Sequence, residues 1–315
     1  MIGSSLSSLL GDLDADIVPD APLGAMTWYG IGGRADLLVR PRSVEGLATL
    51  VKRCHRSGTS LRVFGSGANL LVGDDGVDGI VLRLDLPAFR EIKYNRTGEP
   101  RTMRAMGGAD MAKTLMDAAR RGLEGLSQMA GIPATIGGAV RMNAGGTYGC
   151  IGDAVRSVTC LTRAGDLHTY PASELKFHYR STNIPDPIIL AATFDLTPTD
   201  PVALRDRVKS IFAYKKSTQP LADHSAGCTF RNPVDPVTEK RVPAGRLIDE
   251  AGLKGHTIGG ASISRHHANF IITQPPATAT DVLQLLEFVR RRVYEHAGLE
   301  LEEEVVVWRR GETSE

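Results

Sequence analysis

The chain has 315 residues, enough for two or three domains with apolar cores of their own. Hydrophobic residues make up 42% of it and charged residues 23%, as in a globular protein, and no apolar run is long enough to span a bilayer. The formal net charge of +1 argues against a general nucleic-acid binder, which would carry a basic surface. It is compatible with a local basic pocket for an anionic small molecule.

The cysteines indicate a reducing compartment. Cys54, Cys150, Cys160 and Cys228 form neither a CxxC pair nor a disulfide-dense pattern. Residues 1–13 lack the basic start and the small-residue cleavage site of a secretory signal. We therefore expect a cytoplasmic protein.

The first predicted unit, from about residue 27 to 84, combines a helix with short strands. Ser43 is a candidate N-cap of a helix with one apolar face, and Gly58 would end that helix. Strands are predicted at Leu61–Phe64 and 79–84. This pattern indicates a compact α+β unit with a glycine loop at the end of a strand.

The second predicted unit covers about residues 91–200. Its polar opening, 93–101, is typical of a hairpin tip or a linker. A helix is predicted at 110–121 and strands at 155–162 and 188–196. A second glycine-rich run lies between this helix and these strands.

The rest of the chain predicts a third unit of helices and short strands. Helices are predicted at 204–215 and 244–251, and a longer amphipathic helix would end at Gly298. Strands are predicted at 257–263, 269–273 and 301–308.

Two glycine-rich loops, 65–71 and 131–145, are the first candidate site. Glycines allow backbone N–H groups to surround a phosphate, and an amide nest or a helix N-terminus stabilises its charge. The first loop lacks the third glycine of the GxGxxG pattern, and each loop alone is compatible with an ordinary tight turn. Two such loops in consecutive α+β units suit a long cofactor that lies between them.

Arg180 and a run of three carboxylates, Glu302 to Glu304, are the second candidate site. An arginine supplies a permanent charge and a planar fork of donors for a carboxylate or a developing oxyanion. In a regular strand Glu302 and Glu304 would share one face, so periodicity does not choose between them. A lone arginine or a carboxylate run is also common on solvated surfaces.

Residues 225–233, SAGCTFRNP, place Cys228 in a predicted tight turn. A buried cysteine is often only a small hydrophobic residue. Polar neighbours favour a functional role here, and an unperturbed thiol, with a pKa of ~8.5, is a far stronger acid than a serine hydroxyl.

Taken in order, these motifs resemble those of the UDP-N-acetylenolpyruvoylglucosamine reductases, flavoenzymes of peptidoglycan synthesis. The resemblance extends over about 27–307. It includes YGIGG at 29–33, GSGANLL at 65–71, GIPATIGGA at 131–139, YRST at 179–182, AGRLID at 244–249, HANFI at 267–271 and LEEEV at 301–305. Only 48 positions separate Arg180 from Cys228, so the chain resembles the shorter subclass, which lacks an inserted tyrosine loop.

The resemblance implies an α+β fold, in which a two-subdomain FAD-binding unit of the vanillyl-alcohol-oxidase type precedes an α+β substrate-binding domain. We place the FAD-binding domain at residues 25–200, with subdomains at about 25–90 and 91–200, and the substrate-binding domain at 201–315. Residues 1–24 match nothing and are assigned to an N-terminal extension, a candidate for disorder.

The resemblance also implies noncovalent FAD, held by the two glycine loops, and NADPH as the hydride donor. The residues assigned to FAD binding are Gly65, Ser66, Gly67, Ala68, Asn69 and Leu70 in the first loop, and Gly131, Ile132, Thr135, Gly137, Gly138, Ala139, Asn143 and Gly145 in the second.

The implied reaction is the reduction of UDP-N-acetylglucosamine enolpyruvate to UDP-N-acetylmuramate, with hydride passed from NADPH by way of FAD. Arg180 and Glu304, the last glutamate of the family's Leu-Glu-x-Glu-Val pattern, would stabilise the enolate. Cys228, where the family usually has serine, would donate the proton.

The implied partner is the UDP-sugar substrate, with no nucleic acid and no membrane, and we expect a monomer or a weak oligomer. The family uses the asparagine of the central motif near the UDP portion, so Asn232 is the first choice for a substrate contact. Lys216 and Arg241 are candidate phosphate partners.

Two other functions remain open. The chain could be another flavin-linked oxidase or dehydrogenase of the same superfamily, or a non-catalytic protein that binds flavin or a UDP-sugar. A metal site is not expected, because His256, His266 and His267 come with no HExxH motif and adjacent strand residues point to opposite faces.

Overall fold

The computed structural model describes residues 9–94 and 101–312. Three units of mixed helices and strands follow one another along the chain, which agrees with the predicted α+β class. Within the described residues, no helix is both long and apolar enough to cross a membrane.

The first unit is a four-stranded sheet covered by one helix. Its elements are β1 (Ala15–Ala21), β2 (Ala35–Pro41), α1 (Val44–Ser57), β3 (Leu61–Phe64), β4 (Leu70–Val72) and β5 (Val77–Arg83). The sheet order is β1-β2-β5-β3, in which β1 is antiparallel to β2 and the other neighbours are parallel. As predicted, Ser43 caps α1 by accepting from the N–H of Gly46 at 3.0 Å, and Gly58 ends it with φ 66°.

The second unit is built on an antiparallel sheet with the order β12-β11-β15-β7-β6. Its elements are β6 (Ile92–Tyr94), β7 (Thr102–Met106), α2 (Met111–Arg120), β8 (Leu123–Glu124), α3 (Ile136–Arg141), β9 (Gly145–Gly146), β10 (Gly149–Cys150), β11 (Val155–Leu161), β12 (Leu167–Pro171), β13 (Phe177–His178), β14 (Ser181–Thr182), β15 (Ile188–Asp195) and β16 (Thr197–Pro198). Most of the predicted hairpin tip, 95–100, lies outside the described residues, and the flanking strands β6 and β7 pair antiparallel.

The third unit packs helices against a small sheet, β17-β18-β19. Its elements are α4 (Pro201–Thr218), α5 (Ala244–Glu250), β17 (Thr257–Ile258), β18 (Ala261–Ile263), β19 (Ile271–Thr273), α6 (Ala279–Ala297) and β20 (Val306–Trp308). The predicted apolar face of α6 is buried in the core of this unit. Strand β20 leaves the unit and pairs in parallel with β4, so the end of the chain returns to the first unit.

The N-terminal extension is more ordered than expected. Residues 15–21, part of the candidate for disorder, form β1, which pairs with β2 from Ala15 opposite Pro41 to Ala21 opposite Ala35. The middle of this edge strand, residues 17–20, faces solvent on both sides, so its side chains carry little periodic signal and backbone pairing holds it. Residues 1–8 lie outside the described residues.

Two strand predictions in the third unit are wrong in their length. The predicted strand 257–263 is a hairpin, which turns at Gly259, where φ is 53° and a Cβ would lie 2.2 Å from Oδ1 of Asp281. The predicted strand 301–308 is regular only over β20. Its first half instead bonds irregularly to a loop, through the N–H of Arg231 to the carbonyl of Glu302 at 2.9 Å.

Candidate active site

A cleft of about 940 Å³ is lined by residues of both glycine loops. Gly65 comes from the first loop, and Thr135, Gly137 and Gly138 come from the second. The loops approach so closely that a Cβ on Gly65 would lie 3.1 Å from Oγ1 of Thr135. The volume is within the range of cofactor sites, so the structure brings these four predicted residues together at a cleft of suitable size.

The cleft has the charge and the bare backbone that a dinucleotide needs. Its charged lining residues are Arg62, Arg83, Arg141 and Arg163, against Asp85, Asp186 and Glu312. At Gly108, also in the lining, a Cβ would lie 1.6 Å from the carbonyl oxygen of Leu84, so the wall requires glycine there. The excess of one positive charge is compatible with a diphosphate, and FAD fits this set of residues.

In the first loop, side chains tie three segments of the chain together. The Ser66 hydroxyl donates to the carbonyl of Pro133 at 3.3 Å. The Asn69 amide donates from Nδ2 to the backbone carbonyl of Glu304 at 3.0 Å. The other predicted residues are Gly67, with φ 70°, the half-buried Ala68, and Leu70, which begins β4.

In the second loop, Asn143 and Gly145 lie next to the Arg180 segment. Asn143 donates from Nδ2 to the carbonyl of His178 at 2.9 Å, and the Gly145 carbonyl accepts from Arg180 at 3.0 Å. The other predicted residues are Gly131, which faces α4, and Ile132 and Ala139, which pack in the core of the second unit.

Arg180 lies in the two-residue turn between β13 and β14. Its φ of 58° is left-handed, which costs a non-glycine residue ~1–2 kcal/mol. The guanidinium donates from Nε to a carboxylate oxygen of Glu304 and from Nη1 to the Gly145 carbonyl. A strained backbone that specific contacts hold in place is common at functional positions.

Glu304 is the carboxylate of the run that turns inward. Its side chain is 11% exposed, against 34% for Glu303 and 76% for Glu302. The run does not continue as a regular strand, because the backbone N–H groups of Glu304 and Val305 both bond to the carbonyl of Thr229, at 2.8 and 3.3 Å. Glu304 is the carboxylate that pairs with Arg180.

Cys228 lies in a loop that Asn269 fixes. The N–H of Thr229 donates to the Asn269 carbonyl at 2.8 Å. The Asn269 side chain exchanges two hydrogen bonds with the backbone of Phe230, at 2.9 and 2.8 Å, and is almost completely buried. This amide, which was not among the predicted site residues, determines the path of the chain beside the thiol.

The charges of Arg180, Glu304 and Cys228 influence one another. Burial raises the pKa of Cys228 to about 12, the charge of Glu304 adds to this, and Arg180 opposes it. Burial also raises the pKa of Glu304, against the lowering effect of Arg180. The thiol is therefore protonated at neutral pH. It is a weaker acid than an unperturbed thiol, so it exceeds a serine hydroxyl in acidity by less than the sequence suggested.

Asn232 and Arg241 lie beside Tyr179, the neighbour of Arg180. The N–H of Asn232 donates to the Tyr179 hydroxyl at 3.2 Å, and the Arg241 guanidinium lies 4.0 Å from the centre of the Tyr179 ring. The side-chain oxygen of Asn232 also accepts from the N–H of Ala244, at the start of α5. The structure thus brings both predicted residues to the Arg180 turn.

Lys216 is exposed on α4, whereas its neighbour Lys215 is buried near Arg180. Nζ of Lys215 donates to the carbonyl of Gln128 at 3.2 Å. Burial lowers the pKa of Lys215 to about 8, and the charge of Arg180 contributes. Lys215 was not predicted, although it continues the buried helical stripe of Leu204, Val208 and Ile211.

The three neighbouring histidines have separate contacts. His256 stacks on Phe288 with ring centres 4.1 Å apart, His266 bonds to the carbonyl of Ser217 at 2.8 Å, and His267 accepts from the N–H of Asn269. In the part of the chain that the structure describes, no group of three His, Cys, Asp or Glu side chains is arranged to hold a metal ion.

Two family descriptions match successive parts of the chain. An FAD binding domain matches residues 35–170, and the C-terminal domain of UDP-N-acetylenolpyruvoylglucosamine reductase matches residues 219–308. The first region contains the two glycine-rich loops, and the second contains the Cys228 loop and Glu304. These matches confirm the predicted fold class.

Similar proteins share nearly the full length of the chain. The UDP-N-acetylenolpyruvoylglucosamine reductase of Moorella thermoacetica is 38% identical over 97% of this chain and 99% of its own. That of Listeria monocytogenes is 38% identical over 91% of this chain and 93% of its own. The crystal structure of the reductase MurB from Thermus caldophilus, at 35% identity, covers 93% of this chain and 98% of its own, with a TM-score of 0.76. The chain therefore belongs to the UDP-N-acetylenolpyruvoylglucosamine reductase family.

Proposed function

We propose that this chain reduces UDP-N-acetylglucosamine enolpyruvate to UDP-N-acetylmuramate, a step of peptidoglycan precursor synthesis, with FAD as cofactor and NADPH as hydride donor. The names of its full-length relatives support this reaction. The observation that carries the proposal is the contact of Arg180 with Glu304 beside Cys228, because it combines charge stabilisation and a proton source in one site.

Residues of both glycine loops would hold FAD in the cleft. The backbone of Gly65, Gly137 and Gly138 offers close approach, and the arginines of the lining would balance the charge of the diphosphate. When bound, FAD supplies two-electron chemistry between NADPH and the substrate.

Arg180 and Glu304 would stabilise the negative charge that spreads onto the substrate carboxylate as an enolate. Their side chains are only 18% and 11% exposed, so charges interact more strongly there than in water. A substrate carboxylate next to Glu304 would raise its pKa further. Glu304 would then hold a proton and donate a hydrogen bond.

Cys228 would donate the proton that completes the reduction. The S–H bond breaks as a C–H bond forms on the substrate, and the thiolate left behind takes a proton from water. The charge of Arg180 lowers the pKa of this thiol and so favours the thiolate that the step produces.

Lys215 and Arg241 would contribute positive charge to the binding of the UDP-sugar. Lys215 is a stronger candidate than the predicted Lys216, because it is buried beside Arg180 and Lys216 is exposed. Asn232 would contribute through its amide group, next to Tyr179. We further propose a cytoplasmic monomer or weak oligomer, which the cysteine pattern and the small-molecule site support.

The two alternative functions are less well supported. A flavin-linked oxidase of another kind would not need the reductase C-terminal domain that matches residues 219–308. A protein that only binds flavin or a UDP-sugar does not require the strained backbone of Arg180 or its contact with a buried carboxylate.

The experiment that tests the function is a two-step anaerobic titration of the purified protein. We expect NADPH to bleach the visible flavin spectrum and UDP-N-acetylglucosamine enolpyruvate to restore its colour. Bleaching without recovery would show that the protein is a flavoprotein that NADPH reduces, and would exclude UDP-N-acetylglucosamine enolpyruvate as its substrate. A chain that takes up no FAD would exclude the function altogether.

A further inference from the structure

The last described residues of the chain form part of the cofactor cleft. Residues 306–308, Gly311 and Glu312 line it. We propose that this C-terminal segment, residues 306–312, is a wall of the FAD site and retains the cofactor. The proposal rests on FAD as the ligand of the proposed function. Residues 309–312 lie beyond both regions that match a known family.

The segment is joined directly to the first glycine loop. Strand β20 pairs in parallel with β4, which begins where that loop ends. The N–H of Val306 donates to the carbonyl of Asn69 at 3.1 Å, and the N–H of Gly73 donates to the carbonyl of Trp308 at 2.8 Å. The C-terminal segment is therefore hydrogen-bonded to the end of the first glycine loop, whose Gly65 lines the same cleft.

Beyond β20, Arg310 fastens the segment to the first unit. Its Nη2 donates to Oδ1 of Asp36 at 2.8 Å, and its Nε donates to the carbonyl of Asp75 at 2.9 Å. The next residue, Gly311, donates its N–H to Oδ1 of Asp78 at 3.2 Å. Arg310 itself is not among the residues that line the cleft, so it acts on the wall through its neighbours.

A buried arginine of the first unit also holds the tail. Arg62 is 5% exposed, lines the cleft, and donates to the carbonyl of Glu312 and to Oγ of Ser60. Release of the tail would leave this guanidinium without one acceptor and would open the cleft to water on that side.

An open wall would weaken cofactor binding, because tight small-molecule sites bury most of the ligand surface. The effect is reciprocal: if the closed segment favours FAD, then bound FAD must favour the closed segment. FAD should therefore slow hydrogen exchange in residues 309–312.

The first test compares hydrogen exchange of the full chain with and without FAD. We expect the amide of Gly311, bonded to Asp78, to exchange at least several-fold more slowly when FAD is present. Unchanged exchange over residues 309–312, in a protein that demonstrably binds FAD, would overturn the proposal.

The second test is the dissociation constant of FAD for Arg310→Ala. Arg292→Ala is the matched control, since Arg292 is 49% exposed and pairs with Glu295 at 3.0 Å, whereas Arg310 is 45% exposed and pairs with Asp36 at 2.8 Å. We expect the dissociation constant of FAD to rise about tenfold for Arg310→Ala and to stay unchanged for Arg292→Ala. A tenfold rise is the size of one lost charged hydrogen bond.

Equal dissociation constants for the two variants would refute the proposal that residues 306–312 retain the cofactor. If Arg310→Ala does not fold, Arg310→Lys, which keeps the charge and loses the second donor, takes its place in the same titration. The thermal midpoints of the FAD-free variants show whether folding is affected. A chain that holds FAD through this segment but does not turn over the substrate would disprove the proposed function. The proposal for the C-terminal segment would then still hold.

Discussion

The side-chain amide of Asn69 donates a 3.0 Å hydrogen bond to the backbone carbonyl of Glu304. The carbonyl of Asn69 in turn accepts from the N–H of Val306, two residues further along the chain. Two hydrogen bonds therefore join the first glycine loop to the segment that carries the proposed catalytic carboxylate. An amide that the sequence assigned to the cofactor is used in the structure to position Glu304.

Asn69→Ala should slow the reduction of substrate without preventing cofactor binding. Loss of one half-buried hydrogen bond costs about 1 kcal/mol, so we expect roughly a five- to tenfold slower oxidative half-reaction. Flavin reduction by NADPH should keep its rate. Stopped-flow measurement of both half-reactions checks this, with Asn183→Ala as the control, because Asn183 makes a similar contact to the Glu174 carbonyl. Equal slowing of both half-reactions would contradict the proposed role of Asn69 in positioning Glu304.

Cys228→Ser should keep much of the activity, and Cys228→Ala should lose the protonation step alone. Burial raises the pKa of the thiol to about 12, so the wild type depends on an acid that stays protonated across the neutral range. We therefore expect no loss of rate between pH 7 and 9 from this thiol. Flavin reduction by NADPH should survive in Cys228→Ala, and its loss together with turnover would defeat the assignment.

Glu304→Ala should slow the oxidative half-reaction by ~10²–10³-fold, the size of a lost transition-state contact. Alanine can neither donate the hydrogen bond that the protonated Glu304 would give to the substrate nor pair with Arg180. Glu302→Ala is the matched control, because Glu302 belongs to the same run and its side chain is 76% exposed. Steady-state rates at saturating NADPH distinguish the two, and similar rates for both variants would remove Glu304 from the mechanism.

Local signals made the helix ends predictable. Ser43 and Gly58 bound α1, and Asp110 caps α2 by accepting from the N–H of Lys113 at 2.8 Å. Such caps depend on residues within one turn of each other, so the sequence contains them in full. The family motifs also indicated Arg180, Cys228 and Glu304 as candidates, and the structure brings Arg180 into contact with Glu304.

Contacts between distant segments were not predictable. The N–H of Glu304 bonds to the carbonyl of Thr229, 75 positions earlier, and no periodicity of the sequence contains that pairing. The edge strand β1 is held by backbone bonds to β2, which leave no side-chain pattern. Lys215 could have been found from its place in an apolar stripe, but a lysine there is usually taken to be at the surface.

The stability of the protein should depend on the protonation of Lys215. Its pKa is about 8 in the folded chain, against 10.5 ordinarily, so between these values the unfolded chain binds more protons than the folded one. The free energy of unfolding should therefore rise with pH over this range, as the cost of burying a charged lysine disappears. Denaturant unfolding from pH 7 to 10 measures this rise, which Lys215→Met should reduce. Lys216→Met, which changes the exposed neighbour, should keep it, and equal slopes for both variants would show that Lys215 is not the titrating group.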